Sequence, residues 1–410
     1  MIKATNFIKT GIPWTPYAPI GWDIKRGKFV FKSIKEINSQ MQCKDRLALT
    51  LKGVIDRYEG DNIGLNPSDL RTYQIFKPNE LVFKLLDLDN KKTSRVGYVH
   101  KQGIMSSAYI RVLNNPEMNM RYFYYQYYDL YQRYIFNFIG QGVRATMSAS
   151  DLLNIPILIP PLETQNAIVA YLDRKTQQIQ EFIAKKERLI ELLEEQKKSV
   201  ISQELTNCKD ELKLKYLLRI QNGDGIASDL IQNKDLYEVY GGNGVLGYYS
   251  KFNNSNETII VGRVGALCGN VHYTNSDIWV NDNAMFVKTK HYYKYIFYLL
   301  KDANLNSLSF ANAQPLITGT LVKNQTVKFE KDFNKQISIV VTIEKRLKTI
   351  DVAIGKAKTE IEKAKEYQES LITQVVTGQL KAPEKANANL EQNIELGMVA
   401  EANGVYRSKN

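Results

Sequence analysis

Residues 165–207, QNAIVAYLDRKTQQIQEFIAKKERLIELLEEQKKSVISQELTN, align without a gap on residues 336–378, QISIVVTIEKRLKTIDVAIGKAKTEIEKAKEYQESLITQVVTG, at a constant offset of 171. Identical pairs include Gln165 with Gln336, Ile168 with Ile339, Ile179 with Ile350, Ile190 with Ile361 and Gln203 with Gln374. Neither segment contains proline, and both read as long helices. In the second, Ile343, Leu347, Ile350, Ile354, Ala357, Ile361, Ala364, Gln368, Leu371 and Val375 follow alternating steps of four and three, the seam of a coiled coil. The same register moved back by 171 runs through Leu172, Thr176, Ile179, Ile183, Lys186, Ile190, Leu193, Lys197, Val200 and Glu204, apolar with four polar interruptions. A lone helix with such a stripe would expose it to water, so the two seams are expected to pack on each other.

The similarity extends a little upstream, where SASDLLNIPILI (148–159) resembles TGTLVKNQTVKF (318–329) and KFVF (28–31) echoes KYLL (215–218). The repeating unit is thus a globule followed by a helix. This predicts a first globule over 1–160, a first helix over 161–206, a second globule over 207–330, a second helix over 331–381 and a tail over 382–410. At 1.5 Å per residue each helix is roughly 60 Å long. Packed antiparallel, the pair would separate the globules and relate them by an approximate two-fold axis. Each globule mixes short strand-like runs (TIIVGRVG, NELVFKLL) with helix-like stretches (RYFYYQYYDLYQRYIFNFI, YYKYIFYLL) and many turns, and is expected to be α+β.

Composition narrows the function. The 410 residues carry a formal charge of +12 and a pI near 9.2, which favours a polyanionic partner such as nucleic acid or an anionic membrane surface. The basic excess is uneven: the first globule holds 22 Lys and Arg against 13 Asp and Glu, the second 13 against 11. No apolar run approaches the length of a membrane span, and a cytoplasmic location is the expectation. Cys43, Cys208 and Cys268, and His100, His272 and His291, lie at no disulfide or metal-ligand spacing, so no metal is expected. There is no G-x-x-x-x-G-K-[ST] loop, and Asn114-Asn115-Pro116-Glu117 lacks the second proline and the aromatic of an adenine methyltransferase motif.

Gly242, Gly244 and Gly247 in YGGNGVLGYYSKF (240–252) have the G-x-G-x-x-G spacing of a dinucleotide loop. That loop requires a strand before it and a helix after it. A strand over 236–240 is expected, but the aromatic and asparagine-rich stretch that follows starts no helix, so the sequence reads as a glycine-rich β-turn. The 25 tyrosines suit stacking and phosphate contacts, although Tyr122, Tyr124, Tyr125, Tyr128 and Tyr131 fall at helical spacing and are expected to be mainly core.

A globule, a long helix, a second globule and a matching helix, with IPILIPPLETQNAIVAYL (155–172) leading into the first helix, resemble the specificity subunit of type I restriction-modification systems. SVISQELTN, matched by SLITQVVTG at the helix ends, carries the resemblance further. So does YGGNGVLGYYSKF followed by IIVGRVGALCGNV and WVNDNAMFV, which looks like one class of target-recognition domain; GIMSSAYI (103–110) resembles another class. The resemblance implies a non-catalytic chain that reads a bipartite double-stranded DNA target. It also implies two adenine-N6 methyltransferase subunits using S-adenosylmethionine, and ATP- and Mg-dependent restriction subunits that translocate DNA. The side chains assigned to DNA on this reading are Lys84, Arg95, Lys101, Arg144, Asn243, Tyr248, Lys251, Arg263, Asn270 and Asn283. Leu172, Ile179, Ile183, Ile190, Leu193, Ile343, Leu347, Ile350, Ile354 and Ile361 are assigned to packing between the helices. The alternatives are a specificity subunit of another restriction complex, an orphan DNA-binding scaffold, a structural coiled coil and a nucleotide-dependent enzyme.

Overall fold

The computed structural model describes residues 6–58, 69–90, 92–140, 142, 145–208, 210–265, 267–308 and 315–382. Both long helices form, over Leu162–Thr206 and Phe333–Val376. The second ends where Gly378 takes φ +72, a left-handed conformation that glycine adopts without strain. Its Cα also faces the Pro19 ring so closely that an added Cβ would lie 2.3 Å from Cγ. The expected tail after Ala382 lies outside the described residues.

The chain divides into two compact units, one of residues 1–184 with 361–410 and the other of residues 185–360. This differs from a division that sets the helices apart as separate domains. A helix of 45 residues is too long for one core, so each unit takes in part of each helix.

Within each unit the two helix segments run antiparallel along the expected seam. In the second unit Val200, Ile350 and Ile354 are buried, with Ile190, Leu193 and Leu347 packed on them. The polar interruptions of the first seam are accommodated by partners. Lys186 pairs with Glu360 at 2.6 Å, Lys197 with Asp351 at 2.8 Å, and Glu204 with Arg346 at 2.7 Å. In the first unit Thr176 Oγ1 donates to the Leu172 carbonyl at 2.7 Å, while Ile179 and Phe182 border a groove with Ala364 and Tyr367. Leu172 and Ile361 are buried and Ile183 is half-buried.

The first unit is α+β. Gly53–Arg57, Arg46–Thr50, Gly103–Met105 and Gln74–Phe76 form a four-stranded sheet in that order, and Ile110–Val112, Leu81–Phe83 and Val96–Tyr98 a three-stranded one. The helix Met120–Gln132 buries Tyr122, Phe123 and Tyr127 against the aromatic core of Phe31 and Phe83. Of the tyrosines at helical spacing, Tyr122 and Tyr125 are buried and Tyr124, Tyr128 and Tyr131 half-buried, as expected of a core-facing helix. The second unit repeats the scheme with different strands. Leu218–Asn222, Ala284–Thr289, Thr258–Gly262 and Val271–Thr274 make one sheet, and Gly244–Tyr249, Tyr237–Gly241 and Ile278–Val280 the other.

The repeat reaches further into the globules than the sequence alignment does. In each unit a short strand, Asp23–Arg26 or Asp210–Lys213, pairs antiparallel with the strand that precedes the long helix, Pro156–Ile159 or Thr326–Phe329. A buried glutamine then ties the start of that helix to the globule. Gln165 Nε2 donates to the Pro160 carbonyl at 2.8 Å, and its Oε1 accepts from the Asn119 N–H at 2.9 Å. Gln336 does the same with the Glu330 carbonyl at 2.7 Å and the Tyr292 N–H at 3.1 Å. Asn119 and Tyr292 are the N-cap residues of the helices Met120–Gln132 and Tyr293–Asp302. Two turns further along each long helix, Arg121 reaches Asp173 at 2.7 Å and Lys294 reaches Glu344 at 2.8 Å, each cation also lying over a strand tyrosine, Tyr98 or Tyr273.

Replacing Gln165 or Gln336 by Ala removes one donor and one acceptor from partly buried partners, and each change is expected to cost about 1–3 kcal/mol. Urea denaturation of each variant measures this, with Gln180→Ala on the exposed side of the first helix as a neutral reference.

Candidate nucleic-acid interface

The glycine-rich segment forms a β-hairpin. Tyr237–Gly241 and Gly244–Tyr249 pair antiparallel around Gly242 and Asn243, and Gly244 takes φ +102. Thus no helix follows the glycines, and the spacing does not build a pyrophosphate cradle. Strand pairing runs into the aromatic stretch that follows the glycines, since Tyr248 and Tyr249 close the hairpin opposite Glu238 and Tyr237.

The hairpin turn packs onto two other segments with almost no separation. A Cβ at Gly262 would lie 2.1 Å from the Gly242 carbonyl oxygen, a distance that no side chain tolerates. Gly262 N–H donates to the Asn270 carbonyl at 2.9 Å, and Gly269 N–H to the Gly262 carbonyl at 2.8 Å. At Gly269 the backbone has φ +89, and an added Cβ would meet the Asn306 nitrogen at 2.5 Å. These contacts close three loops on one another and leave their polar side chains at the surface.

Four of the residues assigned to DNA come together there. Asn270 Nδ2 donates to Asn243 Oδ1 at 3.2 Å. Arg263 is held by its backbone, its N–H donating to the Asn283 carbonyl at 2.9 Å and its carbonyl accepting from the Ile317 N–H at 2.9 Å. Its half-exposed guanidinium donates to the Asp282 carbonyl at 3.2 Å. Asn283 is exposed beside it. Asn306, which the sequence reading did not single out, joins the group by donating from Nδ2 to the Cys268 carbonyl at 2.8 Å and to Asn270 Oδ1 at 3.2 Å. Nothing in its local sequence marks it, because the contact spans more than thirty positions. Tyr248 and Lys251 sit toward the other end of the same hairpin, away from its turn. The His272 ring lies under Gly244, and burial followed by the charge of Lys301 holds its pKa below the usual histidine value.

In the first unit the assigned residues do not converge. Arg95 is corrected outright: it is 1% exposed, and its guanidinium donates to the carbonyls of Leu86, Asp87 and Asn90, so it ties a loop inside the globule and is out of reach of DNA. Lys84 is half-buried next to it, its ammonium pKa lowered by burial and then by the Arg95 charge. Lys101 is at the surface in a 2.9 Å ion pair with Asp56, which His100 also contacts at 2.9 Å. Arg46 and Arg57 face each other across the adjacent strand pair, though neither was among the assigned residues. Arg144 lies outside the described residues.

A Gly262→Ala substitution forces the hairpin turn away from the 262–270 loop. Expected are a stability loss of about 1–3 kcal/mol from overpacking and weaker DNA binding, whereas Gly225→Ala, with open space at its Cβ, should leave both unchanged. Urea denaturation and a DNA gel-shift titration on the same preparations check the pair.

Comparison with known proteins places this geometry. The model of the family described as the type I restriction modification DNA specificity domain matches twice, over residues 70–192 and 209–363. The type I restriction enzyme EcoprrI specificity subunit of Escherichia coli is 31% identical over 137 residues, covering 32% of this chain and 33% of that protein, so the match spans a third of the relative's length. A chain solved in work on complex assembly and conformational transition of the type I R-M system shares the fold at TM-score 0.68, with 12% identity over 88% of this chain and 99% of that one. The HsdS subunit from Thermoanaerobacter tengcongensis matches at TM-score 0.48, with 13% identity over 88% of this chain and 98% of that one. With a long helix after each of its two α+β globules, and the family model matching most of its length in two copies, the chain belongs to the family of type I restriction-modification DNA specificity subunits.

Proposed function

We propose that this chain is the non-catalytic subunit that selects the DNA target of a type I restriction-modification complex, each globule reading one half of a bipartite site. The observation that carries the reading is the surface where Asn243, Arg263, Asn270 and Asn283 meet. Amide and guanidinium groups are the side chains that pair with base edges, and here backbone contacts hold them in place. The chain binds no cofactor of its own. Two methyltransferase subunits supply adenine-N6 methylation with S-adenosylmethionine, and restriction subunits driven by ATP and Mg complete the complex, in the cytoplasm. No helix among the described residues is long and apolar enough to cross a membrane.

The isolated chain incubated with S-adenosylmethionine is expected to leave DNA unmethylated, and addition of the matching methyltransferase subunit to produce adenine methylation at one split site. Turnover by the chain alone would overturn the assignment. Exchange of residues 207–330 for another domain of the family should alter one half of that site and preserve the other, as read by sequencing of methylated DNA.

Arg263→Ala separates two roles for the guanidinium. A base contact predicts a loss of about 1–3 kcal/mol confined to one position of the target. A phosphate contact predicts an equal loss on all sequences and a shallower salt dependence. Binding titrations on single-base variants at two salt concentrations distinguish them.

A further inference from the structure

The side-chain amides of Asn306, Asn270 and Asn243 form a relay whose polarity is set at its inner end. The Cys268 carbonyl oxygen can only accept, so the group that Asn306 turns toward it at 2.8 Å is the NH2 and not the oxygen. The same nitrogen donates to Asn270 Oδ1, which leaves Asn270 Nδ2 to donate to Asn243 Oδ1. Each amide has one oxygen and one NH2, so fixing the first orients the other two. Asn243 is exposed at the hairpin turn. Its oxygen is engaged inward, and its Nδ2 is the open end of the relay, with no partner among the described residues.

We infer that Asn243 is a specificity-determining residue that presents a hydrogen-bond donor to a base edge, and that Asn270 and Asn306 are positioning residues that fix this polarity. The inference rests on the DNA-reading assignment above and adds the chemistry of one contact. The group recognised is an acceptor atom of a base rather than an amino group; adenine N7 is an acceptor as well, so the telling preference is for guanine (N7, O6) or thymine (O4) over cytosine, which offers only an amino group. Asn270 touches no base in this scheme, yet it decides which base is preferred. An aspartate at 270 can only accept. It would take hydrogen bonds from Asn306 Nδ2 and from Asn243 Nδ2, turning the Asn243 amide over so that its oxygen faces outward. The preferred base would then be one that offers an amino group, cytosine or adenine. An aspartate at 243 reaches the same end by another route, because one carboxylate oxygen accepts from Asn270 and the other faces the DNA.

The test uses the full chain with its methyltransferase subunit, bound to a DNA library randomised across the target, with the bound fraction sequenced. For the native protein, one position in the half that follows residues 207–330 should favour a base with an acceptor edge. Asn243→Ala, an exposed change expected to leave the circular dichroism spectrum unaltered, should weaken discrimination at that position roughly tenfold or more. Asn270→Asp and Asn243→Asp should each move the preference at that same position to a base with an amino edge, superimposed on a loss of affinity common to all sequences from the added negative charge. If Asn243→Ala binds with every preference unchanged, Asn243 reads nothing and the inference fails. If Asn243→Ala relaxes the position but Asn270→Asp leaves its preference as it was, the relay is overturned. A target in which neither half follows residues 207–330 would instead overturn the DNA-reading assignment, and the inference with it.

Discussion

The carboxamides of Gln165 and Gln336 hold each long helix to its globule, and much of the remaining structure depends on that join. Each is buried at the foot of its helix, accepts the N–H at the cap of a neighbouring helix and donates to a carbonyl just upstream. A buried carboxamide with both ends engaged is directional, so it sets the angle at which the helix leaves as well as the fact of contact. The adjoining ion pairs, Arg121 with Asp173 and Lys294 with Glu344, lie about two turns along the same helices and reinforce that angle. A surface that reads DNA has to be held in orientation as well as folded, and this join supplies the orientation in both units.

The two helices contribute differently to their shared seam. In the second helix most seam positions are buried and apolar, whereas the first carries Thr176, Lys186, Lys197 and Glu204 among them. The charged residues pair across the seam with Glu360, Asp351 and Arg346, at partly exposed sites where each pair contributes little stability. Their effect is on register. A slip of one turn would remove every pairing at once, while an all-apolar seam would tolerate it.

In the second globule, glycine is required by distance more than by flexibility. Gly262 lies so close to the Gly242 carbonyl that the hairpin turn and the following loop share one layer, and that closeness brings Asn243, Asn270 and Asn306 within hydrogen-bonding range. The contrast between Arg95 and Arg263 follows from the same kind of packing. Both are basic residues in loop-rich sequence. Arg95 turns inward to three carbonyls left over by its loop, and Arg263 has its backbone bound on both sides so that its side chain points out.

The repeat, the two long helices, the seam they share and the absence of a helix after Gly247 are legible in the order of residues, because each rests on local periodicity or on a fixed offset between similar segments. That order also marked the glycine-rich turn, whereas Asn243, Arg263, Asn270 and Asn283 were assigned through the family resemblance. Folding in three dimensions was needed to bury Arg95, to join Asn306 to Asn270, and to make Arg121 and Lys294 counterparts across the repeat. Those facts depend on which loops meet in space. The loops of the two globules differ in length and strand order, so the shared offset of 171 is lost between the helices, and no local pattern records a hydrogen bond made across thirty or more residues.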